Sequence, residues 1–265
     1  MILTNENYFS DEANWEYMSV SQYKMFVGTK SQKGCEEYAL ARIRGDWKEE
    51  PSTALLVGTY VDNYFEGTLA AFIAHHPEIF LKDGKTLKSE YLGANKIIKR
   101  IERDDYFMKC MSGEKQRIFT GEIFGVQWKG KIDSYIPKRC IVDLKTTKSI
   151  HDLFWASNHG WVSFIEHFGY DIQAAIYQEL VRIDTGKKLP FLIAAASKEN
   201  YTDIQVIGFD QPHLDMVLQG VFLKIGRINE VKQGKIPPTR CNACNYCFAT
   251  KILTGPVHFK DIIEG

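Results

Sequence analysis

The sequence predicts an α/β protein in which helices flank a central mixed β-sheet. Three observations support this fold class: an alternating hairpin pattern over residues 124–147, a continuous apolar run at 191–196, and helical patterns before and after both. Helices, a hairpin, a helix, two strands and a helix follow one another, an order typical of a sheet covered by helices. No repeat or low-complexity linker interrupts residues 1–265. We therefore expect one domain, with the cysteine-rich segment 237–251 packed on it.

The N-terminal part of the chain is predicted to be helical. Ser19 is a candidate N-cap, because its hydroxyl can accept a hydrogen bond from an unpaired N–H of the first helical turn. A second helix is expected from about residue 32 to residue 43, with Cys35 inside it. The clearest apolar stripe at helical spacing extends from Ser52 to about His75, and a further helix is expected from Ser89 to about Arg103.

Two β-strands joined by a tight turn are predicted next, after a segment (106–120) that leads into the sheet. The first strand extends from about Phe124 to Tyr135, and the second begins at Cys140. Alternating apolar residues and β-branched side chains indicate strands, and the intervening Pro-Lys-Arg sequence indicates the turn.

Three charged residues lie inside this hairpin. Asp133 is near the end of the first strand, and Asp143 and Lys145 are two residues apart on the second. Residues i and i+2 of a strand share a face, so Asp143 and Lys145 lie on one side and Asp133 can face them across the hairpin. Converging carboxylates repel each other unless a cation lies between them, and hard oxygen ligands suit Mg²⁺ or Mn²⁺. With a lysine alongside, the pattern indicates a site for phosphodiester hydrolysis; the alternative is a surface hairpin with an ordinary Asp–Lys ion pair.

The C-terminal half is expected to add two strands and two helices. Residues 150–168 are rich in aromatic side chains. Unpaired bases could stack there, but core packing is the expected role of Trp155 and Trp161. The other predicted elements are a helix at 171–184, a buried strand at 191–196, a strand at 202–209 and a helix at 213–230 that ends before Gly234.

The segments GKID (130–133) and IVDLKTT (141–147) resemble the core of the PD-(D/E)XK nuclease superfamily. More narrowly, they resemble the RecB-type and RecE-type exonucleases that phages and prophages encode. The resemblance covers residues 19 to about 251. It implies a restriction-endonuclease-like core in which Asp133 and Asp143 coordinate the metal and Lys145 positions or activates the attacking water.

Other residues match further elements of that family. Gln173 and Tyr177 share one helix face and resemble a Q-x-x-x-Y element that lines the site beside DNA in RecB-like nucleases. The alternative is a polar helix edge with the tyrosine packed into the core. Asp62 stands where many relatives carry a metal-binding histidine, and its carboxylate remains a competent hard ligand. Glu66 is an alternative ligand one turn later, and a solvated helix face would explain both acids.

Cys241, Cys244 and Cys247 form a Cys-x-x-Cys-x-x-Cys run, a spacing typical of bacterial [4Fe–4S] sites. Zinc sites more often use separated Cys-x-x-Cys pairs, so an iron–sulfur cluster is expected, with Zn²⁺ as the alternative and buried inert thiols as the simplest explanation. Cys35 is the candidate fourth ligand, because RecB-like nucleases with clusters supply one early cysteine and three late ones.

Charge balance limits how the chain can bind DNA. Lys and Arg together number 33, as do Asp and Glu, so there is no global basic field. DNA binding therefore requires a local basic surface or bound cations. The sequence contains no run of 18 or more apolar residues and no signal-peptide pattern, so we expect a cytoplasmic location without membrane contact. Six cysteines in that compartment favour metal ligands or buried thiols over disulfides.

The patterns and the resemblance together predict a Mg²⁺- or Mn²⁺-dependent exodeoxyribonuclease. The resemblance implies that it degrades one strand of duplex DNA from an end, leaving a single-stranded tail for an annealing protein in recombination. It also implies a ring-like homo-oligomer. A non-catalytic DNA-binding or assembly module with a cysteine metal site is the alternative from another class of protein. A cysteine-metal redox protein is a third interpretation.

Overall fold

A six-stranded mixed sheet forms the centre of the molecule, as predicted. The computed structural model describes residues 1–259, and within them no helix is long and apolar enough to cross a membrane. The helices are α1 (Asp11–Glu16), α2 (Val20–Val27), α3 (Glu36–Arg44), α4 (Thr53–Glu66), α5 (Leu69–His75), α6 (Ser89–Glu102), α7 (Asp105–Cys110), α8 (Phe164–His167), α9 (Tyr170–Thr185), α10 (Gln211–Lys232) and α11 (Asn245–Ala249). The strands are β1 (Met18–Ser19), β2 (Glu114–Ile123), β3 (Val126–Ile136), β4 (Cys140–Thr147), β5 (Phe154–Ala156), β6 (Gly160–Val162), β7 (Phe191–Ser197) and β8 (Ile204–Gly208).

Strand β3 links the two halves of the sheet, whose order is β1-β3-β4-β7-β8, with β2 also paired to β3. The predicted β3–β4 hairpin is paired only from Ser134 to Ile136, and β1 pairs with β3 only at Trp128 and Lys129. Beyond the hairpin, β4 runs parallel to β7. An opening therefore remains beside residues 130–133 of β3, between β1 and β4.

Helices cover both faces of the sheet, and each face has its own hydrophobic core. On one face, residues of α2, α3, α9 and α10 pack around Trp128 and Ile132. On the other face, residues of α4, α6 and α7 pack on Val142 and Leu144. Because side chains alternate along β4, its odd-numbered residues are directed away from Val142 and Leu144, toward α9.

Two predicted helices have different boundaries in the structure. The second predicted helix begins only at Glu36, so Cys35 precedes α3 and adopts an extended backbone conformation. The pattern from residue 52 to residue 75 forms two helices, because Gly67 takes a left-handed φ of +81° at the end of α4. The apolar spacing continues across this break, so periodicity alone predicts a single helix. Ser19 caps α2 as predicted, and its hydroxyl accepts a hydrogen bond from the Gln22 N–H.

Two other segments also differ from the prediction. Residues 106–120, expected only to lead into the sheet, contain most of α7 and of β2. Many β2 side chains are polar because the strand lies at the edge of the sheet. Its sequence therefore lacks the apolar alternation by which a strand is predicted. Trp155 and Trp161 are 61% and 65% exposed on the β5–β6 hairpin, so the expectation of core packing is wrong for both. Phe164 is the large aromatic residue of this segment that reaches the core.

Candidate active site

Asp133 lies where β3 and β4 separate. Ile132 and Ser134 are two residues apart and would normally share a face of β3, but here they lie on opposite faces. Ile132 packs into the core that contains Trp128, whereas the Ser134 hydroxyl donates to the Cys110 carbonyl oxygen beside the core that contains Val142. Asp133 Oδ2 accepts a hydrogen bond from the Leu144 N–H at 2.9 Å. This bond replaces strand pairing and fixes one carboxylate between the diverging strands.

Asp143 and Lys145 extend from β4 toward α9. An ion pair joins Lys145 Nζ to Asp143 Oδ2, and Gln173 Nε2 of α9 donates to Asp143 Oδ1 at 2.7 Å. Lys145 Nζ also lies 5.2 Å from the ring centroid of Tyr170. Since Asp143 is only 3% exposed, this carboxylate is held in a buried polar cluster whose lysine and glutamine were both predicted site residues.

Helix α4 brings a further carboxylate, Asp62, to the same opening. Gly58 permits the close approach, because a Cβ at that position would lie 3.0 Å from Thr146 Oγ1 of β4. Asp62 follows one turn later. Burial, and then the neighbouring Asp133 carboxylate, raise the pKa of Asp62 well above its ordinary value. The structure therefore brings Asp62 together with the hairpin acids.

Gln116 is a site residue that the sequence patterns did not identify. Its Nε2 donates to Asp133 Oδ1 at 3.1 Å and to Glu66 Oε1 at 2.6 Å, so it links an acid of β3 to an acid of α4. Its φ of +50° is uncommon for a residue with a side chain, and such conformations cluster at functional sites. A single glutamine in a polar edge strand provides no pattern by which the sequence could reveal it.

The electrostatics of this cluster are dominated by buried like charges. Burial, and then the Asp143 carboxylate, raise the pKa of Asp133 to about 7. Burial alone would lower the pKa of Lys145, but the carboxylates of Asp143 and Asp133 outweigh it and raise that pKa above its ordinary value. Lys145 therefore remains an ammonium at neutral pH and lies among several acids.

Buried oxygens without partners show that the cluster suits a divalent cation. Within residues 1–259, Asp62 Oδ1 and Asp143 Oδ2 are buried and have no hydrogen-bond partner, although Asp143 Oδ2 has its ion pair with Lys145. Buried carboxylate oxygens require donors or cations, and an all-oxygen ligand set suits Mg²⁺ or Mn²⁺. No three acids in the described residues have oxygens all within 4.8 Å of one another. Ion binding would therefore require the carboxylates to move closer together.

Tyr177 lies one turn after Gln173 on α9, as predicted, but its surroundings differ from those of Gln173. It is 9% exposed, and a Cβ at Gly130 would lie 2.9 Å from Tyr177 Cε1. Gly130 thus allows α9 to pack directly on the β3 backbone. Gln173 orients Asp143, whereas Tyr177 packs against Gly130 and lines the same cavity as Asp133 and Asp143.

A cavity of about 490 Å³, which we call the central cleft, opens over Asp133 and Asp143. Its lining also includes four basic residues outside the acid cluster: Lys24, Arg42, Lys129 and Lys131. Burial, and then the positive charge of Lys145, lower the pKa of Lys24 to about 8. Lys129 is buried and Arg42 pairs with Glu49, so Lys131 and the half-buried Lys24 are the basic groups that the central cleft offers to DNA in a chain without net charge.

The four predicted cysteine ligands come together next to the start of α3. The Sγ atoms of Cys35, Cys241, Cys244 and Cys247 all lie within 4.8 Å of one another, the only such group of His, Cys, Asp or Glu side chains in residues 1–259. Cys247 Sγ is 3.6 Å from Cys35 Sγ and 3.8 Å from Cys241 Sγ. Burial raises the pKa of Cys241, but hydrogen bonds from the Ala243 N–H and nearby thiols outweigh it and lower that pKa to about 7. This closed set of sulfurs fits a thiolate-bound metal.

Comparison with known proteins identifies the family of this chain. A family model described as a PDDEXK-like domain of unknown function (DUF3799) matches residues 19–250. The chain belongs to this family. Membership confirms the resemblance to the PD-(D/E)XK superfamily and the α/β fold class inferred from the sequence.

A solved structure closely resembles this member of the PDDEXK-like family. It is the crystal structure of a protein from Eubacterium rectale called "Putative exonuclease", with 50% sequence identity and a TM-score of 0.96 over 100% of this chain and 99% of that chain. A second solved structure has 16% identity and a TM-score of 0.29, over 72% of this chain and 83% of that chain, and supports no inference. No curated protein matches the chain.

Proposed function

We propose that this PDDEXK-like protein is a divalent-metal-dependent deoxyribonuclease. The observation that carries the proposal is the convergence of Asp62, Asp133 and Asp143 around Lys145, with a buried Asp62 oxygen that has no hydrogen-bond partner among the described residues. We also propose that it acts as an exonuclease on linear duplex DNA, which the name of the Eubacterium rectale protein supports. Its resemblance to RecE-type enzymes supports a role in recombination.

The chain supplies ligands and holds them in place. Asp133 and Asp143 would hold Mg²⁺ or Mn²⁺, with Asp62 as a third ligand. The ion would serve as a Lewis acid that polarises the scissile phosphate. The Leu144 N–H fixes Asp133, and Gln173 fixes Asp143 through Oδ1, which leaves Asp143 Oδ2 directed toward Lys145.

Lys145 acts as a charged hydrogen-bond donor in this proposal. Without a bound ion, the carboxylates of Asp143 and Asp133 hold the pKa of Lys145 above its ordinary value, so the side chain is an ammonium near neutral pH. As an ammonium it orients the attacking water and neutralises the charge that develops on the phosphate oxygens. Of the two roles implied by the family resemblance, we propose positioning of the water.

Substitution of Lys145 tests the nuclease proposal. We expect Lys145→Ala, and separately Asp143→Asn, to slow Mg²⁺-dependent shortening of end-labelled linear duplex by about 10²- to 10³-fold. The first removes the ammonium that neutralises charge on the reacting phosphate, and the second removes a carboxylate that would hold the metal ion. Lys148→Ala is the matched control, since that side chain is 87% exposed just beyond the end of β4, and it should retain normal turnover. Normal turnover by a folded Lys145→Ala protein would end the proposal.

The same assay distinguishes end-directed from internal cleavage. A time course on 5′-labelled and 3′-labelled linear DNA should show progressive shortening, while a closed circle stays intact. Cleavage of the circle at the same rate would contradict the exonuclease proposal and leave the nuclease proposal standing.

A non-catalytic DNA-binding or assembly module is the alternative. It would retain the central cleft and the cysteine cluster without cleaving DNA. The buried acids favour an enzyme, because carboxylates facing a phosphate without a bound cation would weaken DNA binding by like-charge repulsion. Intact linear DNA after incubation with either Mg²⁺ or Mn²⁺ would favour the module.

We propose that the four cysteines hold a structural metal, with Zn²⁺ as the favoured ion. The Sγ separations of 3.6 and 3.8 Å are close to the tetrahedral edge of about 3.8 Å that follows from a Zn–S distance of about 2.3 Å. A [4Fe–4S] core places irons and sulfides between the thiolates and holds them farther apart. These separations support Zn²⁺, whereas the Cys-x-x-Cys-x-x-Cys spacing predicts a [4Fe–4S] cluster, and metal analysis of the purified protein distinguishes the two. A bound Zn²⁺ would have no redox chemistry, unlike the cysteine-metal redox protein of the third interpretation.

The remaining features of the functional hypothesis stay predictions. They are a single-strand annealing partner, a ring-like homo-oligomer, a cytoplasmic location and a single domain. The annealing partner and the oligomer are supported only by the resemblance to RecE-type exonucleases.

A further inference from the structure

Two aromatic residues of the N-terminal segment line the central cleft. Tyr8 and Phe9 share its lining with Asp133 and Asp143. Tyr8 is 5% exposed, whereas Phe9 is 72% exposed, and their ring centroids lie 4.9 Å apart in an edge-to-face arrangement. The buried ring supports the exposed one, so the cleft presents an accessible aromatic surface.

Backbone contacts hold Phe9 in position. Lys129 Nζ donates to the Tyr8 carbonyl oxygen at 2.6 Å and to Asn14 Oδ1 at 2.9 Å. Asn14 Nδ2 donates in turn to the Phe9 carbonyl oxygen at 3.3 Å, and the next residue, Ser10, caps α1. The Phe9 ring is therefore exposed although the backbone of its segment is held in place by hydrogen bonds. A fixed exposed ring loses little conformational entropy when it binds a flat partner.

A lysine lies against this aromatic surface. Lys131 Nζ is 5.4 Å from the ring centroid of Phe9 and 5.6 Å from that of Tyr8. No carboxylate of residues 1–259 lies within 4.0 Å of this ammonium, so its charge has no local acidic partner. Lys131 precedes Asp133 by two residues on β3, in the opening between β1 and β4. The central cleft thus offers an exposed ring for base stacking and an adjacent cation for a phosphate, together with the acid cluster.

We propose that Phe9 is the stacking position for an unpaired base and that Lys131 binds the adjacent phosphate. The inference rests on the proposed nuclease function and adds that the cleft receives DNA as a single strand. Bases inside a duplex keep both faces stacked on their neighbours and a terminal base pair exposes a single face, whereas an unpaired base offers both faces to a ring. Fraying of a blunt duplex end would supply such a base.

Binding assays with Ca²⁺ in place of Mg²⁺ test this inference separately from cleavage. The probe is a short single-stranded oligonucleotide with 2-aminopurine as its terminal base. We expect Phe9→Ala to weaken binding about tenfold, Phe9→Leu to weaken it similarly, and Phe9→Trp to restore it, because stacking requires an aromatic face. Phe222→Ala is the matched control, since Phe222 is 51% exposed on α10 and packs against Phe124, and it should bind normally.

The contribution of Lys131 has its own signature. Lys131→Ala should reduce the slope of log affinity against log salt concentration by about 0.7, the value for one phosphate contact on a single strand. Unchanged binding by Phe9→Ala, equal binding by Phe9→Leu and Phe9→Trp, or failure of the wild-type protein to bind the oligonucleotide would each overturn the inference. The nuclease proposal fails on a different result, normal cleavage by Lys145→Ala, which would leave the binding result unaffected.

Discussion

Asp62 has a buried carboxyl oxygen without a hydrogen-bond partner in the part of the chain that the structure describes. Its raised pKa has two causes, burial and the nearby Asp133 carboxylate, and both disfavour the ionised form. A cation would offset both. The Asp62 carboxylate is therefore unfavourable for folding without metal but suited to metal binding. We expect its substitution to raise the stability of the metal-free protein and to lower its activity.

Substitution of Asp62 by asparagine tests that trade-off. Asp62→Asn keeps the shape and removes the charge, so we expect a higher melting temperature in the presence of EDTA and at least about tenfold slower Mg²⁺-dependent cleavage. Thermal unfolding and the end-labelled duplex assay measure the two effects. Glu122→Gln, at an exposed position of β2, should change neither. A lower melting temperature of Asp62→Asn would show that the carboxylate stabilises the fold without metal.

At the residue scale, the sequence predicted the groups that belong to a recognisable pattern. Asp143 and Lys145 share a strand face by simple alternation, and Asp133 was placed opposite them by the hairpin. Gln116 was not predicted, because its place in the site depends on an unusual backbone φ that cannot be inferred from residue spacing. The sequence also did not indicate that Phe9 lies on the same cleft as Asp143, because that depends on how the N-terminal segment packs on β3.

At the element scale, buried lysines anchor the N-terminal segment. Lys232 Nζ of α10 donates to the Tyr17 carbonyl oxygen at 2.7 Å and to Gln22 Oε1 at 3.1 Å. Burial, and then the charge of Lys129, lower the pKa of Lys232 to about 7. In an unfolded chain the pKa of a lysine is about 10.4. Between about pH 7 and that value, Lys232 is protonated in the unfolded state and mostly deprotonated in the folded state. Lys232 therefore makes the folded state more stable as pH rises through that window.

Lys232→Met should remove this pH dependence. We expect the free energy of unfolding of the wild-type protein, relative to that of the variant, to increase from about pH 7 to about pH 9, by no more than about 1.4 kcal/mol per pH unit. Urea denaturation at several pH values measures the difference. Lys224→Met, at an exposed position on the same helix, should show no such trend. A relative stability that falls as pH rises would contradict a depressed lysine pKa.

Elements with a strong internal pattern were predicted, and those defined by their neighbours were not. The helix α9 and the strands β4 and β7 follow the predicted apolar patterns closely. Strand β2 is polar because it lies at an edge, and its partner β3 determines its structure. Gly67 separates α4 from α5 although the apolar spacing continues through it. The β5–β6 hairpin exposes its tryptophans, because its short strands pair only with each other and do not join the main sheet.

At the scale of the whole molecule, the cysteine cluster links distant parts of the chain. Cys35 and Cys241 are separated by 206 positions, yet the Cys241 N–H donates to Cys35 Sγ at 3.5 Å. No local pattern relates two such positions, so the fourth ligand was predicted only through the family resemblance. A bound metal would tie the C-terminal segment to the start of α3 and stabilise the folded state, because the four sulfurs come together only when the chain is folded.

Cys244→Ser tests the proposed zinc. Wild-type protein purified without oxygen should contain about one zinc per chain and little iron, because the sulfurs are spaced for a single tetrahedral ion. The variant should lose the zinc and melt at least about 5 °C lower. Cys140→Ser, a cysteine outside the cluster, should retain the metal. Iron and sulfide near four each per chain, with visible charge-transfer absorption, would instead establish a [4Fe–4S] cluster.

The central claim is that Asp133 and Asp143 hold a divalent ion beside Lys145, and anomalous diffraction from crystals soaked in Mn²⁺ tests it most directly. We predict an anomalous peak within coordination distance of both carboxylates and of Asp62, and loss of that peak in Asp143→Asn crystals. An empty position between Asp133 and Asp143 in fully soaked wild-type crystals, or an undiminished peak in the variant, would contradict the account.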